Sequence, residues 1–397
     1  MLNNIKPIHP FAARMAPEIA FEALKGLSKG ATVLDPMVGS GTVLRTVTEF
    51  GYKGIGFDID PLAVLMSRVW TTIIDPQKLV QRTKELIEEA VSLDCRTIHL
   101  PWIDEDEETE SFINFWFAPE QQKALRKLAF LLHGRKGLYS DVLKLVLSRQ
   151  IITKTKGASL AADVSHSRPH RVRVKNDFNI FAGFEKTSLQ LANNFDKYPV
   201  KNLVAIKKGD ARRMSTVPDN SVASIITSPP YLNALDYMRG HKMALVWLGY
   251  SISHLANIRN NSVGAEKMPD EKADLVVAES LIANLCHLDK LSIRKCKMIQ
   301  RYVLDMHSII KESKRVLEKG SKATFVIGNS CLNGIYIENS KIVTNCAERV
   351  GLQLSSSWER DIPTNKRYLP PPTNWESSMM KNRMRTEVIL SFIKPRY

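Results

Sequence analysis

Short apolar runs, each ending at a polar or glycine-containing turn, mark the first part of the chain and recur after its middle. Residues 31–34 and 221–226 have the length and composition of buried parallel strands, and residues 53–58 read as a further strand. Helical patterns follow at residues 42–50 and at about 300–317. Strands that alternate with helices in this way predict an α/β fold.

The middle of the chain is predicted to be largely helical. Apolar residues near helical spacing predict a helix over residues 77–95. Further helices are predicted over residues 119–150, because Pro119 is typical of a first helical turn. Two polar stretches are predicted to be loops: a solvated acidic loop at 104–110 and a mobile loop at 256–275.

The chain has 397 residues, too many for one average domain. We expect one catalytic domain, formed by residues 1–76 and 201–397, that is divided by an insertion. The insertion, residues 77–200, is expected to be helical and basic.

The first candidate site follows the strand at 31–34. Asp35 ends this strand at the edge where open α/β sheets bind ligands. Gly39 and Gly41 allow a tight turn and a close approach of backbone N–H groups to a ligand, and a helix begins at Thr42. The spacing is neither GxGxxG nor that of a phosphate-binding P-loop. An ordinary strand–loop–helix turn is the alternative interpretation.

Two acids end the next strand. Asp58 is the candidate for binding both ribose hydroxyls of a nucleoside, as an acid does in dinucleotide-binding folds. Asp60 stands directly before Pro61, a pattern typical of a helix N-cap, and we expect it to cap the helix.

The second candidate site is the tetrapeptide Ser228-Pro229-Pro230-Tyr231, at the exit of the strand at 221–226. Two prolines stiffen the turn, which can then present the Ser228 hydroxyl and the Pro229 carbonyl as fixed acceptors. Two acceptors aimed at the N–H bonds of a planar amine would direct its lone pair at an electrophile. Tyr231 would stack on a base. A rigid turn with a core tyrosine is the alternative.

Together these motifs resemble the S-adenosylmethionine-dependent amino-methyltransferases of DNA, which act on cytosine N4 or adenine N6. The resemblance implies a Rossmann-like class I fold with a mostly parallel sheet of about seven strands and helices on both faces. Residues 322–329 and 385–392 resemble the fifth and closing strands of that sheet. Serine at the first position of the tetrapeptide favours cytosine N4. Adenine N6 and an RNA guanine amino group remain alternatives, as does a silent DNA-binding module with this fold.

The resemblance also implies the site residues. The cofactor, S-adenosyl-L-methionine, would be bound by Phe11, Asp35, Pro36, Gly39, Gly41, Thr42, Asp58 and Asp210. The catalytic residues would be Ser228, Pro229, Pro230 and Tyr231. A base in duplex DNA would have to be flipped out to reach this tetrapeptide.

Charge and composition bear on partners. The formal net charge is +15, which favours a polyanion as the binding partner. Double-stranded DNA is expected in preference to RNA. The candidate nucleic-acid contacts are Arg168, Arg171, Arg173, Lys175 and Arg239. The insertion at 77–200 is the expected region of DNA recognition, and residues 250–295 are a rival region. A solvated basic loop is the alternative interpretation of the basic residues.

Other features exclude several classes of protein. The five cysteines form no CxxC pair, so we expect neither a zinc site nor a disulfide framework, and no metal. No apolar run approaches the length of a membrane span and no signal peptide is evident, so we expect a cytoplasmic protein without a membrane partner. The pattern predicts no particular oligomeric state.

Overall fold

The computed structural model describes residues 5–153, 156–162, 169–200, 204–232, 236–264, 272–283, 291–332, 334–363 and 385–397. The helices are α1 (Pro17–Leu24), α2 (Thr42–Glu49), α3 (Pro61–Trp70), α4 (Pro76–Ser92), α5 (Pro101–Asp104), α6 (Glu107–Trp116), α7 (Pro119–His133), α8 (Leu138–Arg149), α9 (Ile180–Lys197), α10 (Tyr237–Leu245), α11 (Ile252–Asn260), α12 (Lys272–Ile282), α13 (Ile293–Val316) and α14 (Asn339–Arg349). Short 3-10 turns lie at Cys95–Thr97 and Val246–Leu248. The strands are β1 (Thr32–Asp35), β2 (Lys53–Asp58), β3 (Ala161–Ala162), β4 (His170–Arg171), β5 (Val204–Lys208), β6 (Val222–Thr227), β7 (Leu317–Ile327), β8 (Ser330–Leu332), β9 (Ile335–Ile337), β10 (Gln353–Asp361) and β11 (Thr386–Ile393).

Within the described residues, seven strands form one sheet in the order β10-β11-β7-β6-β1-β2-β5. The five strands from β7 to β5 are parallel to their neighbours, whereas β11 is antiparallel to β7 and β10 to β11. The mostly parallel α/β sheet predicted from the sequence is confirmed. Because β11 runs against its neighbour, its first residues lie at the edge where the parallel strands end.

Helices cover both faces of this sheet. A Cβ atom added to Gly54 or Gly56 on β2 would meet the side chain of Leu44, so these glycines face α2. Ile55 packs instead against the core cluster that α13 and α14 form with the strands. Successive residues of a strand point to opposite faces, so α2 lies on one face of β2 and this cluster on the other.

The chain divides into two compact units. The sheet unit is residues 13–59, 203–235 and 259–397, and it holds the whole seven-stranded sheet. The helical unit is residues 1–12, 60–202 and 236–258. It includes the predicted insertion 77–200 together with flanking segments, notably α3 and α10.

The prediction of a loop over residues 104–110 is wrong, although most of the acidic residues there are exposed, as predicted. Asp104 ends α5, and its carboxylate accepts a hydrogen bond from the Leu100 amide at 2.7 Å and pairs with Arg126 at 2.6 Å. Asp106 caps α6 by accepting from the Thr109 amide at 2.8 Å. The acids that follow occupy the first turn of α6, where the helix dipole favours negative charge.

The prediction of a loop from 256 to 275 is wrong at both of its ends, whereas residues 261–264 form turns outside any helix. Residues 256–260 belong to α11, and residues 272–275 to α12. Ile252, Leu255 and Ile258 of α11 are buried at a spacing of three residues, so one apolar face decides its structure despite the polar remainder. Residues 265–271 lie outside the described residues.

Gly56→Ala is expected to destabilise the sheet unit by about 1–3 kcal/mol, since the new Cβ overpacks a filled interface. That Cβ would stand 2.4 Å from Val38 Cγ1 and 2.5 Å from Leu44 Cδ1, both on buried side chains. Urea unfolding measures the change. Gly134→Ala is the matched control, because Gly134 has φ −75° and nothing within 4 Å of an added Cβ. Equal stability of the two variants would contradict the tight contact of α2 with β2.

Candidate active site

The turn after β1 opens the first turn of α2 to ligands. Gly39 and Gly41 have φ of +48° and +87°, in the left-handed region that favours glycine. Gly41 is the N-cap of α2, and no side chain caps this helix end. The Val38 amide donates to the Phe57 carbonyl of β2 at 2.9 Å, which fixes the turn on the sheet. The backbone amides of the first turn therefore form a positive end that suits a carboxylate or other acceptor.

Asp58 ends β2 beside this turn. Its Oδ2 accepts a hydrogen bond from the Gly39 amide at 2.9 Å. The carboxylate thus holds the glycine turn in place, a contact that the sequence did not predict, in addition to its predicted role toward ribose hydroxyls.

Asp35 joins the end of β1 to the end of β6. Its Oδ1 accepts hydrogen bonds from the Thr227 hydroxyl at 2.8 Å and from the Met37 amide at 3.2 Å. The side chain is buried, and this desolvation raises the pKa of the Asp35 carboxyl to about 7, against the hydrogen bonds that lower it. Asp35 therefore fixes two neighbouring strand ends at the same edge of the sheet.

The Ser-Pro-Pro-Tyr turn begins where β6 ends. The Ser228 hydroxyl donates to the Val326 carbonyl of β7 at 3.2 Å and lies 3.3 Å from the Tyr231 hydroxyl. Pro229 is buried, and Pro230 and Tyr231 are half-buried. The turn is thus anchored on β7 while its serine and tyrosine stay within reach of a ligand.

Two residues that sequence reasoning missed complete this group. The Tyr231 hydroxyl donates to Glu387 Oε1 at 3.4 Å, and Arg360 Nε donates to Glu387 Oε2 at 3.0 Å. Glu387 is only 8% exposed. The available signal was a lone glutamate among apolar residues in the strand predicted to close the sheet.

Asp210 follows β5 and belongs to a network of ion pairs. Arg212 binds both carboxylate oxygens of Asp210 and also Asp305 Oδ1, at 2.6 Å. Asp305 Oδ2 accepts from Arg301 and from the Gly264 amide, each at 2.9 Å. Asp210, which the resemblance assigns to cofactor binding, is thereby held in a fixed orientation.

Phe11 lies in the helical unit. Its ring stacks on Tyr237, with centroids 4.9 Å apart and planes at 17°.

Asp60 caps α3 by accepting from the Leu62 amide at 2.8 Å, as predicted, and it also pairs with His241. Burial opposes ionisation of Asp60, but His241 and the Leu62 and Ala63 amides together outweigh it and hold the pKa of Asp60 below its usual value. The sequence did not predict this buried pair.

The candidate DNA contacts also lie in the helical unit. Arg171 and Lys175 are exposed and Arg173 is half-buried. Arg171 lies 4.8 Å from the centroid of the Phe115 ring. Arg239 is exposed on α10. Arg168 lies outside the described residues.

The residues at the edge of the sheet fit S-adenosylmethionine by their chemistry. Uncapped helix amides suit its amino-acid carboxylate, and Asp58 offers acceptor oxygens for its ribose. Among the described residues, no cluster of three histidine, cysteine, aspartate or glutamate side chains is suited to a metal ion. None of the helices in the described part of the chain has the length and hydropathy needed to span a membrane.

Along most of its length the chain is similar to curated methyltransferases. It is 24% identical over 423 residues to the type II methyltransferase M.MvaI of Kocuria varians, covering 96% of this chain and 89% of that protein. It is 24% identical to the type II methyltransferase M.BsoBI of Geobacillus stearothermophilus, covering 83% of this chain and 74% of that one. The chain is a relative of the type II methyltransferases. The resemblance to S-adenosylmethionine-dependent DNA methyltransferases is thereby confirmed.

Two further comparisons were made. A scan of protein-family models finds no match to the chain. Among solved structures, a SAM-dependent methyltransferase from Methanosarcina mazei is 8% identical with a TM-score of 0.34, covering 96% of this chain and 98% of that one.

Asp35→Asn is expected to change how stability depends on pH. The variant keeps an acceptor oxygen but cannot ionise. In the unfolded wild-type chain the Asp35 carboxyl loses its proton near pH 3.8, whereas in the folded state it keeps the proton up to about pH 7. The folded state binds more protons in this window. The wild-type free energy of unfolding should therefore fall relative to the variant as pH rises from about 4 to about 7, by at most about 1.4 kcal/mol per unit.

Urea unfolding of both proteins across this range tests the prediction. The difference should be constant above about pH 7, where Asp35 is ionised in both states. A difference that does not vary with pH, or that varies in the opposite direction, would contradict the buried position of the carboxyl.

Proposed function

We propose that this chain transfers a methyl group from S-adenosyl-L-methionine to the exocyclic amine of a flipped base in double-stranded DNA, most favourably cytosine N4. One observation carries the proposal. The turn that contains Gly39 and Gly41 follows β1, and the Ser-Pro-Pro-Tyr turn follows β6. These strands are adjacent and parallel, and the Asp35–Thr227 hydrogen bond joins their ends. A methyl donor and an amine acceptor have to meet at such a point, and ligands in α/β folds bind at this edge.

The residues of the turn suit the chemistry. When bound, the cofactor supplies an electrophilic methyl group. The Ser228 hydroxyl donates its hydrogen bond to the Val326 carbonyl, so its oxygen can accept a hydrogen bond from an N–H group of the amine. The Pro229 carbonyl is the second acceptor, and the proline pair keeps both in position. The Tyr231 ring offers a face on which the extruded base stacks.

Serine at position 228 supports cytosine over adenine, because the tetrapeptide resembles that of the N4-cytosine enzymes. The type II methyltransferase relatives support DNA as the substrate. The exposed basic segment formed by residues 171–175 supports contact with a phosphate backbone. Asn176 anchors it, since its amide nitrogen donates to the carbonyls of Gly157, Ala158 and Ser159 at 2.9–3.2 Å.

The experiment is product identification. Purified protein is incubated with isotopically labelled S-adenosylmethionine and separate DNA and RNA pools, and each pool is digested to nucleosides for mass spectrometry. N4-methylcytosine in DNA is the expected product. N6-methyladenine would keep the mechanism and change the base. Label in RNA alone would reject the DNA substrate, and absence of cofactor binding would support a silent DNA-binding module.

Tyr231→Ala and Pro230→Ala are expected to lower kcat by about 100-fold or more, with less than about threefold change in the Kd for S-adenosylmethionine, because they remove positioning at the amine rather than at the cofactor. Single-turnover methylation and isothermal titration calorimetry measure the two quantities. Gly41→Ala is the opposite control and should weaken cofactor binding, since alanine is strained at its φ of +87°. Parallel losses of kcat and cofactor affinity in the tyrosine variant would contradict its role at the base.

The double substitution of Arg171 and Lys175 by glutamine is expected to weaken DNA binding and leave cofactor binding unchanged. Each lost phosphate contact should lower the slope of log K against log salt by about one. The control removes the same charge from elsewhere in the helical unit, at the exposed Lys123 and Lys136. If both double variants have the same salt slope, the segment at 171–175 is only a solvated basic surface.

A further inference from the structure

A buried carboxylate lies beside the Ser-Pro-Pro-Tyr turn. Glu387 is the second residue of β11, and its side chain is 11% exposed. Its direct partner across β10 is Arg360, in register as well as through the ion pair. Burying a carboxylate is unfavourable unless its oxygens are satisfied, and an apolar residue would close this strand as well. The buried carboxylate of Glu387 therefore indicates a role beyond closing the sheet.

The path of the turn explains how Glu387 reaches Tyr231. From the end of β6, Ser228 bonds to the Val326 carbonyl on β7, and Tyr231 continues past β7 to β11. The antiparallel direction of β11 puts Glu387 at this edge, since Val388 pairs with Ile327 at the end of β7. Three strands thus hold the two polar groups of the tetrapeptide.

The hydrogens of this group can be assigned by counting. Ser228 and Tyr231 have one hydroxyl hydrogen each, and their oxygens lie 3.3 Å apart. The Val326 carbonyl accepts the Ser228 hydrogen. The Tyr231 hydroxyl contacts both Glu387 Oε1 and the Ser228 oxygen. A carboxylate is the stronger acceptor, so the hydrogen goes to Glu387 and the Ser228 oxygen keeps its lone pairs for another donor.

We propose that Glu387, oriented by Arg360, is a positioning residue. It accepts the hydrogen bond of the Tyr231 hydroxyl, and the Ser228 oxygen therefore stays available as an acceptor for the substrate amine. The inference rests on the proposed function, which it deepens. Glu387 acts through Tyr231 and Ser228 and does not touch the base. Arg360 holds Glu387 Oε2, which leaves Oε1 for the tyrosine.

Glu387→Gln reverses this assignment with almost no change in shape. Glutamine has one acceptor oxygen, and the Arg360 N–H needs it. The amide NH₂ then faces Tyr231 and donates to its oxygen, so the tyrosine hydrogen turns toward Ser228 and competes with the amine. We expect kcat for DNA methylation to fall by about tenfold or more, with the Kd for S-adenosylmethionine unchanged.

A double-mutant cycle separates this role from a structural one. In the Tyr231→Phe background there is no hydroxyl hydrogen to direct, so adding Glu387→Gln should change kcat by less than about twofold. Glu359→Gln is the matched control, because Glu359 lies next to Arg360 on β10 and pairs instead with the Thr386 hydroxyl, at 2.7 Å. A tenfold loss that persists in the phenylalanine background would overturn the proposal, as would full activity of Glu387→Gln.

A second measurement tests the hydrogen assignment without any methylation. Tyrosine is labelled with carbon-13 at ring Cζ, and the Tyr231 signal is identified by its loss in Tyr231→Phe. A carboxylate that accepts the phenol hydrogen raises the phenol pKa, so Glu387→Gln should lower the Tyr231 pKa by at least about one unit, whereas Glu359→Gln should not. An unchanged Tyr231 pKa would overturn the assignment. If the shift occurs and the wild type methylates no nucleic acid, the proposed function fails and the assignment stands.

Discussion

The hydrogen bond between Thr227 and the buried Asp35 carboxyl joins the two strand ends on which the site depends. β1 and β6 are adjacent and parallel, so their carboxyl ends open at one edge, and this bond ties the two turns that follow them. The bond is made in an apolar environment that raises the pKa of Asp35 to about 7. A hydrogen bond is stronger there than in water, but the same environment makes ionisation costly. The glycine turn after β1 and the Ser-Pro-Pro-Tyr turn after β6 are thus linked by a hydrogen bond to a carboxyl group, and this bond is sensitive to protonation of Asp35.

A second constraint is the reversal of the last two strands. If β11 ran parallel to β7, its first residues would lie at the opposite edge, far from the Ser-Pro-Pro-Tyr turn. Because it is antiparallel, Glu387 and its partner Arg360 arrive beside Tyr231. The same edge therefore gathers acids from β1, β2 and β11. Each is held by a specific donor, namely Thr227, the Gly39 amide and Arg360.

The sequence predicted the elements with a strong local pattern and missed those without one. Residues 31–34 and 221–226 are apolar runs, and both are strands of the central sheet. β10 was missed because it is an edge strand exposed along most of its length, so its polar sequence shows no buried alternation. The acidic stretch at 104–110 was misread as a loop because a run of negative charge is typical of one, whereas N-cap and first-turn positions of a helix also favour acids.

The amino-acid sequence by itself determined the fold class, the two turns that carry the chemistry, the capping role of Asp60 and the methyltransferase resemblance. These depend on short segments in which strand, glycine turn and proline turn are encoded locally. Tertiary structure alone decided which groups meet: Asp35 with the Thr227 hydroxyl, Asp58 with the Gly39 amide, and Tyr231 with Glu387. These pairs are 19 to 192 positions apart in the chain. Only the order and direction of strands in the sheet bring them within hydrogen-bonding distance, and no local pattern encodes that order.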